Sequence, residues 1–130
     1  MVMLDTDTCS YILRNKPSSI RAKFKEQESE GIGVSEIVLA ELIYGAKRHQ
    51  QKSSEILSLI DDFISRLQLL PWTGARNYGV IRSEMKASGH IIGNMNMLIA
   101  AHTLHLDATL VSNNMKHFSL VPGLKVVNWV

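Results

Sequence analysis

A few oxygen-bearing side chains of this 130-residue chain stand where apolar surroundings make them costly. Asp5 ends the apolar run Val2-Met3-Leu4. A carboxylate there loses hydration unless a partner or a cation compensates it. Capping of the following helix by Asp5, Thr6 or Asp7 is the competing reading. Glu41 lies in a segment that is apolar nearly all round, with Ile37, Val38, Tyr44 and Gly45 one turn away on either side. None of these is cationic, and charged side chains are almost never buried unpaired. Glu41 therefore needs a cation from elsewhere in the fold, or an edge position from which it reaches water beside Arg48. Glu36, in the first turn of the same helix, is explained by the helix dipole. Asn96 falls in the first turn of a later helix, where an acid is favoured and Asn is a mediocre helix former. Asn113 and Asn114 follow the apolar run Leu110-Val111.

The elements that must position these groups follow from periodicity and punctuation. Val2-Met3-Leu4 reads as a buried strand. Thr6 or Thr8 caps a helix to about Arg14, ended by Asn15-Lys16-Pro17, and Ser18 or Ser19 starts another. Residues 31–34 form a short strand, and Ser35 caps a helix to about His49. A long helix spans 53–67, with Ile56, Leu59, Ile60, Phe63, Ile64 and Leu67 on one face. Leu69-Leu70 is extended. Residues 73–88 are helical and stop at Gly89. Residues 94–105 are helical, with Asn94 as the cap, while 109–111 and 125–127 are strands. Short apolar strands alternating with helices predict an α/β domain with a parallel sheet covered on both faces. Ligands and catalytic groups gather at the carboxyl ends of such strands. Asp5, Asp7, Ser35, Glu36, Ser112, Asn113 and Asn114 all fall there.

Composition narrows the possibilities. The length suits one domain, and 45% hydrophobic residues exclude a disordered chain. The single cysteine, Cys9, permits no disulfide within the chain. No apolar run approaches a membrane span, and the N-terminus lacks the basic start of a signal peptide. The expectation is a cytoplasmic protein. The net charge of +2 is unevenly spread: beyond residue 63 only Glu84 and Asp107 are acidic, against Arg66, Arg76, Arg82, Lys86, Lys116 and Lys125. A basic second half permits a nucleic-acid partner. The five histidines have no zinc-site spacing. Neither a phosphate-binding G-x-x-x-x-G-K-[ST] loop, nor a dinucleotide fingerprint, nor a G-x-S-x-G elbow is present.

Four blocks in order then resemble one family across the chain. Met3-Leu4-Asp5-Thr6-Asp7 resembles the M-L-D-T-N opening of VapC-type toxins, the PIN-domain ribonucleases of toxin–antitoxin pairs. The segment from Ser35 through Glu41-Leu42 to Gly45-Ala46 is similar to S-x-x-x-x-x-E-L-x-x-G-A. Residues 92–102 resemble I-G-x-x-D-x-x-I-A-A-H, and Leu110-Val111-Ser112-Asn113-Asn114 through Phe118 resembles L-V-T-N-N/D-x-x-x-F. The chain departs at Asn96, where the family has aspartate.

The resemblance implies a single PIN domain over residues 1–130, three-layered, with a twisted parallel sheet of four or five strands. It implies a catalytic set of Asp5, Glu41, position 96 and Asn114. Of these, Asp5, Glu41 and position 96 hold Mg²⁺ or Mn²⁺, and Asp7 adds a water-mediated contact. It implies hydrolysis of structured RNA, tRNA in the nearest members. Candidate RNA contacts are Arg14, Lys16, Arg82 and Lys86, with Lys47, Arg48 and Lys116 behind them. Further implications are a homodimer, a VapB-type antitoxin whose tail brings an Arg near the carboxylates, and operator DNA bound only through that antitoxin. Tyr11, Ile12, Tyr44 and helix 56–67 are the candidate docking surface. With Asn96 the expectation is weaker metal binding and an impaired nuclease. The alternative is a non-catalytic protein of the same fold that binds antitoxin or RNA. A receiver-like signalling domain is disfavoured, because Leu69-Leu70-Pro71-Trp72 offers no phosphate-accepting aspartate.

Overall fold

The computed structural model describes all residues, 1–130. Strand β1 (Val2–Leu4) is wholly buried and is followed by helix α1 (Thr6–Arg14). Asn15, in the left-handed region at φ 53°, ends α1. Helix α2 (Ile20–Gln27) and a 3₁₀ turn (Glu28–Glu30) lead to β2 (Ile32–Ser35). Helices α3 (Glu36–Lys47) and α4 (Ser53–Ile64) connect it to β3 (Gln68–Leu70). Then come α5 (Ala75–Ser88), α6 (Asn94–His105), β4 (Thr109–Val111), α7 (Met115–Phe118) and β5 (Lys125–Val127).

The strands form one parallel sheet in the order β3-β2-β1-β4-β5. The five-stranded α/β sheet flanked by helices is the architecture expected from the sequence. Val2 stands opposite Ile32 on one side and Thr109 on the other. The chain progresses from β1 through β2 to β3 in one direction. It returns across the sheet to β4 and β5 in the other, so the progression reverses between β1 and β4. At such a switch point the connections diverge and leave a crevice at the carboxyl edge. No helix is long and apolar enough to cross a membrane.

Some boundaries differ from the sequence reading. Helix α4 ends at Ile64 rather than 67, because beyond Ser65 the backbone bonds tighten to three-residue spacing, Arg66 N–H to Phe63 O at 3.1 Å and Leu67 N–H to Ile64 O at 3.0 Å. Leu59, placed on the buried stripe, is 58% exposed. Helix α5 starts at Ala75, two residues after Thr73. The cause is Gly74, at φ +114°, where a Cβ would lie 2.7 Å from Ala101 O. The loop before it is pinned to α6 as well, since Trp72 Nε1 donates to Leu98 O at 2.9 Å. Gly93 rather than Asn94 precedes the first turn of α6. The short α7 has too few residues to show a period and was not expected.

Candidate functional site

Asp5 caps α1. Its Oδ1 accepts from the Thr8 backbone N–H at 2.8 Å, and its Oδ2 accepts from the Ser112 hydroxyl at 2.6 Å. Capping and an additional role are therefore compatible, since each carboxylate oxygen keeps a second lone pair. Ser112 follows β4, so this bond crosses the switch point between β1 and β4. The Ser112 oxygen also accepts from the Asn114 backbone N–H at 2.9 Å. Thr8 adds a hydroxyl bond to Val111 O at 3.0 Å. Asp5, at 4% exposure, is thus clamped between the ends of neighbouring strands. Burial raises its pKa above the ordinary 3.8, a push that the Ser112 and Thr8 hydrogen bonds partly offset and Asp7 slightly reinforces.

Glu41 is half-buried on α3, and its Oε1 accepts from the Thr6 hydroxyl at 2.6 Å. Thr6 is the neighbour of Asp5, so one residue joins the two carboxylate positions. Glu41 forms no ion pair with Arg48, although its partial exposure gives it the access to water that an edge position implies. The Arg48 guanidinium lies over the Tyr44 ring instead, 5.7 Å from its centre. The ion pairs of the structure, Arg66–Asp62 and Lys125–Asp107, are exposed and involve neither Asp5 nor Glu41.

Asn96 reaches the same edge through α6. A three-residue connection, Leu106 to Ala108, turns α6 into β4, and the helix packs on that strand. It therefore runs antiparallel to β4, with its first turn at the carboxyl edge of the sheet. Ile99, Ala100 and Thr103, on the Asn96 face at helical spacing, are buried. Asn96 is half-buried at the top of that core-facing stripe, and α6 also packs against α3, the helix of Glu41. Asn114 is held by its backbone, while its side-chain nitrogen lies 3.1 Å from His117 Nδ1. Asp7 is exposed.

No cluster of three or more His, Cys, Asp or Glu able to hold a metal ion is present. Asp5 and Glu41 bring two carboxylates to this edge, and α6 carries an amide, not an acid, at position 96. These oxygens still suit a hard divalent cation, which takes carboxylate and carbonyl oxygens and keeps several waters. A buried acid at Asp5 with only neutral hydrogen-bond donors points the same way.

The basic candidates separate. Arg82 and Lys86 line a hollow with Asn94 at the start of α6. Arg14 and Lys16 stand at the opposite end of α1 from Asp5, about 13 Å along the nine-residue axis. Arg14 donates to Ser10 O and covers Tyr11. Of the candidate docking residues, Ile12 belongs to the core, Tyr11 bonds Asn113, and Tyr44 is 66% exposed. Sequence reading placed Ser112 at a strand end but did not foresee its hydroxyl on Asp5, nor that of Thr6 on Glu41. The usable signal was a hydroxyl residue directly after an apolar strand.

Residues 2–124 match the PIN domain family. The chain is 38% identical to "Ribonuclease VapC2" of Rickettsia felis over 130 residues, covering 98% of this chain and 96% of that protein. It is 36% identical to "tRNA(fMet)-specific endonuclease VapC" of Salmonella typhimurium over 129 residues, with the same coverage. Among solved structures it resembles VapBC2 from Rickettsia felis bound to a promoter DNA fragment. There the TM-score is 0.94 at 36% identity, with all of both chains covered.

Proposed function

The chain belongs to the PIN-domain family, among VapC ribonucleases, and from that premise we propose that it is the toxin of a toxin–antitoxin pair whose fold is built for divalent-metal-dependent cleavage of RNA. The observation that carries the site assignment is the clamped pair Asp5 and Glu41, hydrogen-bonded by Ser112, Thr8 and Thr6 and faced by no cation.

Asp5 and Glu41 would hold Mg²⁺ or Mn²⁺ through their carboxylates, with Asn96 offering an uncharged amide oxygen. A bound ion would supply charge compensation for the scissile phosphate and would acidify water. The chain's own part is positional. Ser112 and Thr8 keep Asp5 at the switch point, and Thr6 orients Glu41 toward the same edge. Asn114, through its backbone N–H, holds the Ser112 oxygen in the direction that serves Asp5. Arg82 and Lys86 neutralise phosphates of the bound strand, and phosphate contacts dominate affinity for nucleic acid. Structured RNA is the substrate class, with tRNA favoured by the naming of the Salmonella relative.

The antitoxin is of VapB type, and operator DNA is reached through it, consistent with the DNA-bound VapBC complexes. Its apolar tail docks in the cavity of about 300 Å³ between α1, α2 and α4, floored by Ile12, Phe24, Leu59 and Phe63. That docking accounts for the exposure of Leu59. The toxin is a homodimer in this reading.

With Asn96 in place of an acid the site has lost one negative charge, so ion binding is weakened and cleavage is impaired. This favours a second reading, a PIN protein that binds antitoxin or RNA without cutting. Asn96→Asp separates the two. Expected is a gain of at least about tenfold in Mn²⁺ affinity and cleavage of tRNA or hairpin RNA with Mg²⁺ or Mn²⁺. A variant that cleaves no better than the parent chain overturns the catalytic assignment.

A further inference from the structure

The hollow beside the start of α6 is built from both kinds of surface that a nucleotide needs. Its volume is about 210 Å³, below the roughly 300 Å³ at which pockets for drug-sized ligands begin and fit for a single ring. Met85, Ile92 and Met97 form a buried apolar floor. Ile91 stands at the lip, 70% exposed. Arg82 and Lys86 are the charged residues lining it, and they are four apart on one face of α5. No acid lines the hollow. Arg82 is exposed, and its guanidinium donates to Tyr78 Oη at 2.9 Å and lies over that ring, 5.8 Å from the centre. Paired cations with no counter-charge fit an anion, and the adjoining apolar floor fits a flat uncharged ring. A nucleotide joins the two in one group.

The position matters as much as the composition. Asn94 and Met97 line the hollow, and Asn96 lies between them in the same first turn of α6. The hollow therefore adjoins the end of the helix that carries Asn96. We infer that this hollow is a base-binding subsite, which takes one unpaired base of the RNA against Ile91 and Met97 while Arg82 and Lys86 hold its phosphates. The inference rests on the ribonuclease reading and locates in the fold the place where one base is received. A strand whose base must leave the stack to enter the hollow is a loop or single strand, because a duplex holds its bases inside.

The test is binding, measured by fluorescence anisotropy on the full chain with hairpin RNAs in low salt. Each loop position is replaced in turn by an abasic nucleotide. Expected is one position at which the missing base lowers affinity about tenfold. Ile91→Ala, at an exposed residue, lowers affinity for the intact hairpin about fivefold and reduces the loss at that abasic position to about twofold. Arg82→Gln weakens intact and abasic RNA alike and flattens the salt dependence. If RNA binds and the Ile91→Ala and abasic losses simply multiply, the subsite is refuted and the ribonuclease reading stands. If Ile91→Ala shifts self-association by sedimentation and not RNA affinity, the hollow receives a second copy of the chain and the subsite is refuted. If neither the parent chain nor Asn96→Asp in Ca²⁺ binds any RNA, the ribonuclease reading falls with it.

Discussion

Ser112→Ala removes one oxygen that serves two partners, and its effect should depend on pH in a way that few buried substitutions do. The hydroxyl donates to Asp5 Oδ2 at 2.6 Å and accepts from Asn114 N–H at 2.9 Å, in a residue with no exposure. When Asp5 is ionised the lost bond is charge-assisted, and such bonds contribute about 2 kcal/mol. When Asp5 is protonated the lost bond is between neutral groups and is worth about 1 kcal/mol. The orphaned Asn114 N–H adds a loss that does not vary with pH. The sign follows from linkage. Burial holds the Asp5 pKa above 3.8 in the fold. An acid of this kind contributes stability that is present below its unfolded pKa and lost as pH rises through its folded pKa. Deleting a bond that favours the carboxylate raises that folded pKa further. The loss relative to the parent is therefore largest above the folded pKa and shrinks by about 1 kcal/mol toward acid. Urea melts of parent and variant in chelator, from about pH 8 to about pH 4.5, measure the difference directly. A loss that is the same at every pH, or one that grows toward acid, would falsify the clamp as described. Calorimetry with Mn²⁺ adds a second readout. Proton competition should weaken binding by the variant increasingly as pH falls, because its Asp5 pKa is raised further.

Thr6→Val preserves shape and removes the hydroxyl on Glu41, which is half-buried. Stability should change by less than about 1 kcal/mol, while Mn²⁺ affinity falls about tenfold; calorimetry and melts that move together would refute a positioning role. Gly74→Ala places a Cβ 2.7 Å from Ala101 O at φ +114°. A loss of about 3 kcal/mol in urea melts is expected, and a loss under about 1 kcal/mol would show that the loop shifts freely. His102 is fully buried with neither ring nitrogen hydrogen-bonded, and burial, aided by His105, lowers its pKa from 6.5. Its stabilising contribution as a neutral ring is present above 6.5 and is lost as pH falls through the lowered value. His102→Leu removes two unpartnered buried nitrogens and should therefore be more stable than the parent at neutral pH by about 1 kcal/mol in melts, and by more in mild acid. Equal acid sensitivity of the two would remove His102 as the cause.

Much of the fold was legible because local patterns carry it. The bounds of α6, β4 and β5 follow from apolar runs cut by Gly93, Asp107 and Gly123 and are observed where expected. The capping of α3 by Ser35 is equally local, with the Ser35 hydroxyl accepting from Ile37 N–H at 3.1 Å. The errors share a cause. Leu67 continues the period of α4 but belongs to the turn beyond it, since periodicity records which residues face the core and not where hydrogen bonding stops. The start of α5 is displaced because Ala101, distant in sequence, leaves room for nothing but glycine at 74.

The candidate site divides in the same way. Asp5 and Glu41 are recognisable from the chain alone, because a carboxylate in an apolar run costs free energy that something must offset. Asn96, too, is visible as an amide where an acid is expected. What the linear order leaves open is which strand lies beside β1. Only the return of the chain across the sheet sets β4 there and brings the Ser112 hydroxyl onto Asp5 across a separation of 107 residues. Residue types and short periods are properties of neighbours in the chain. A hydrogen bond between the ends of two non-consecutive strands is a property of how the sheet closes.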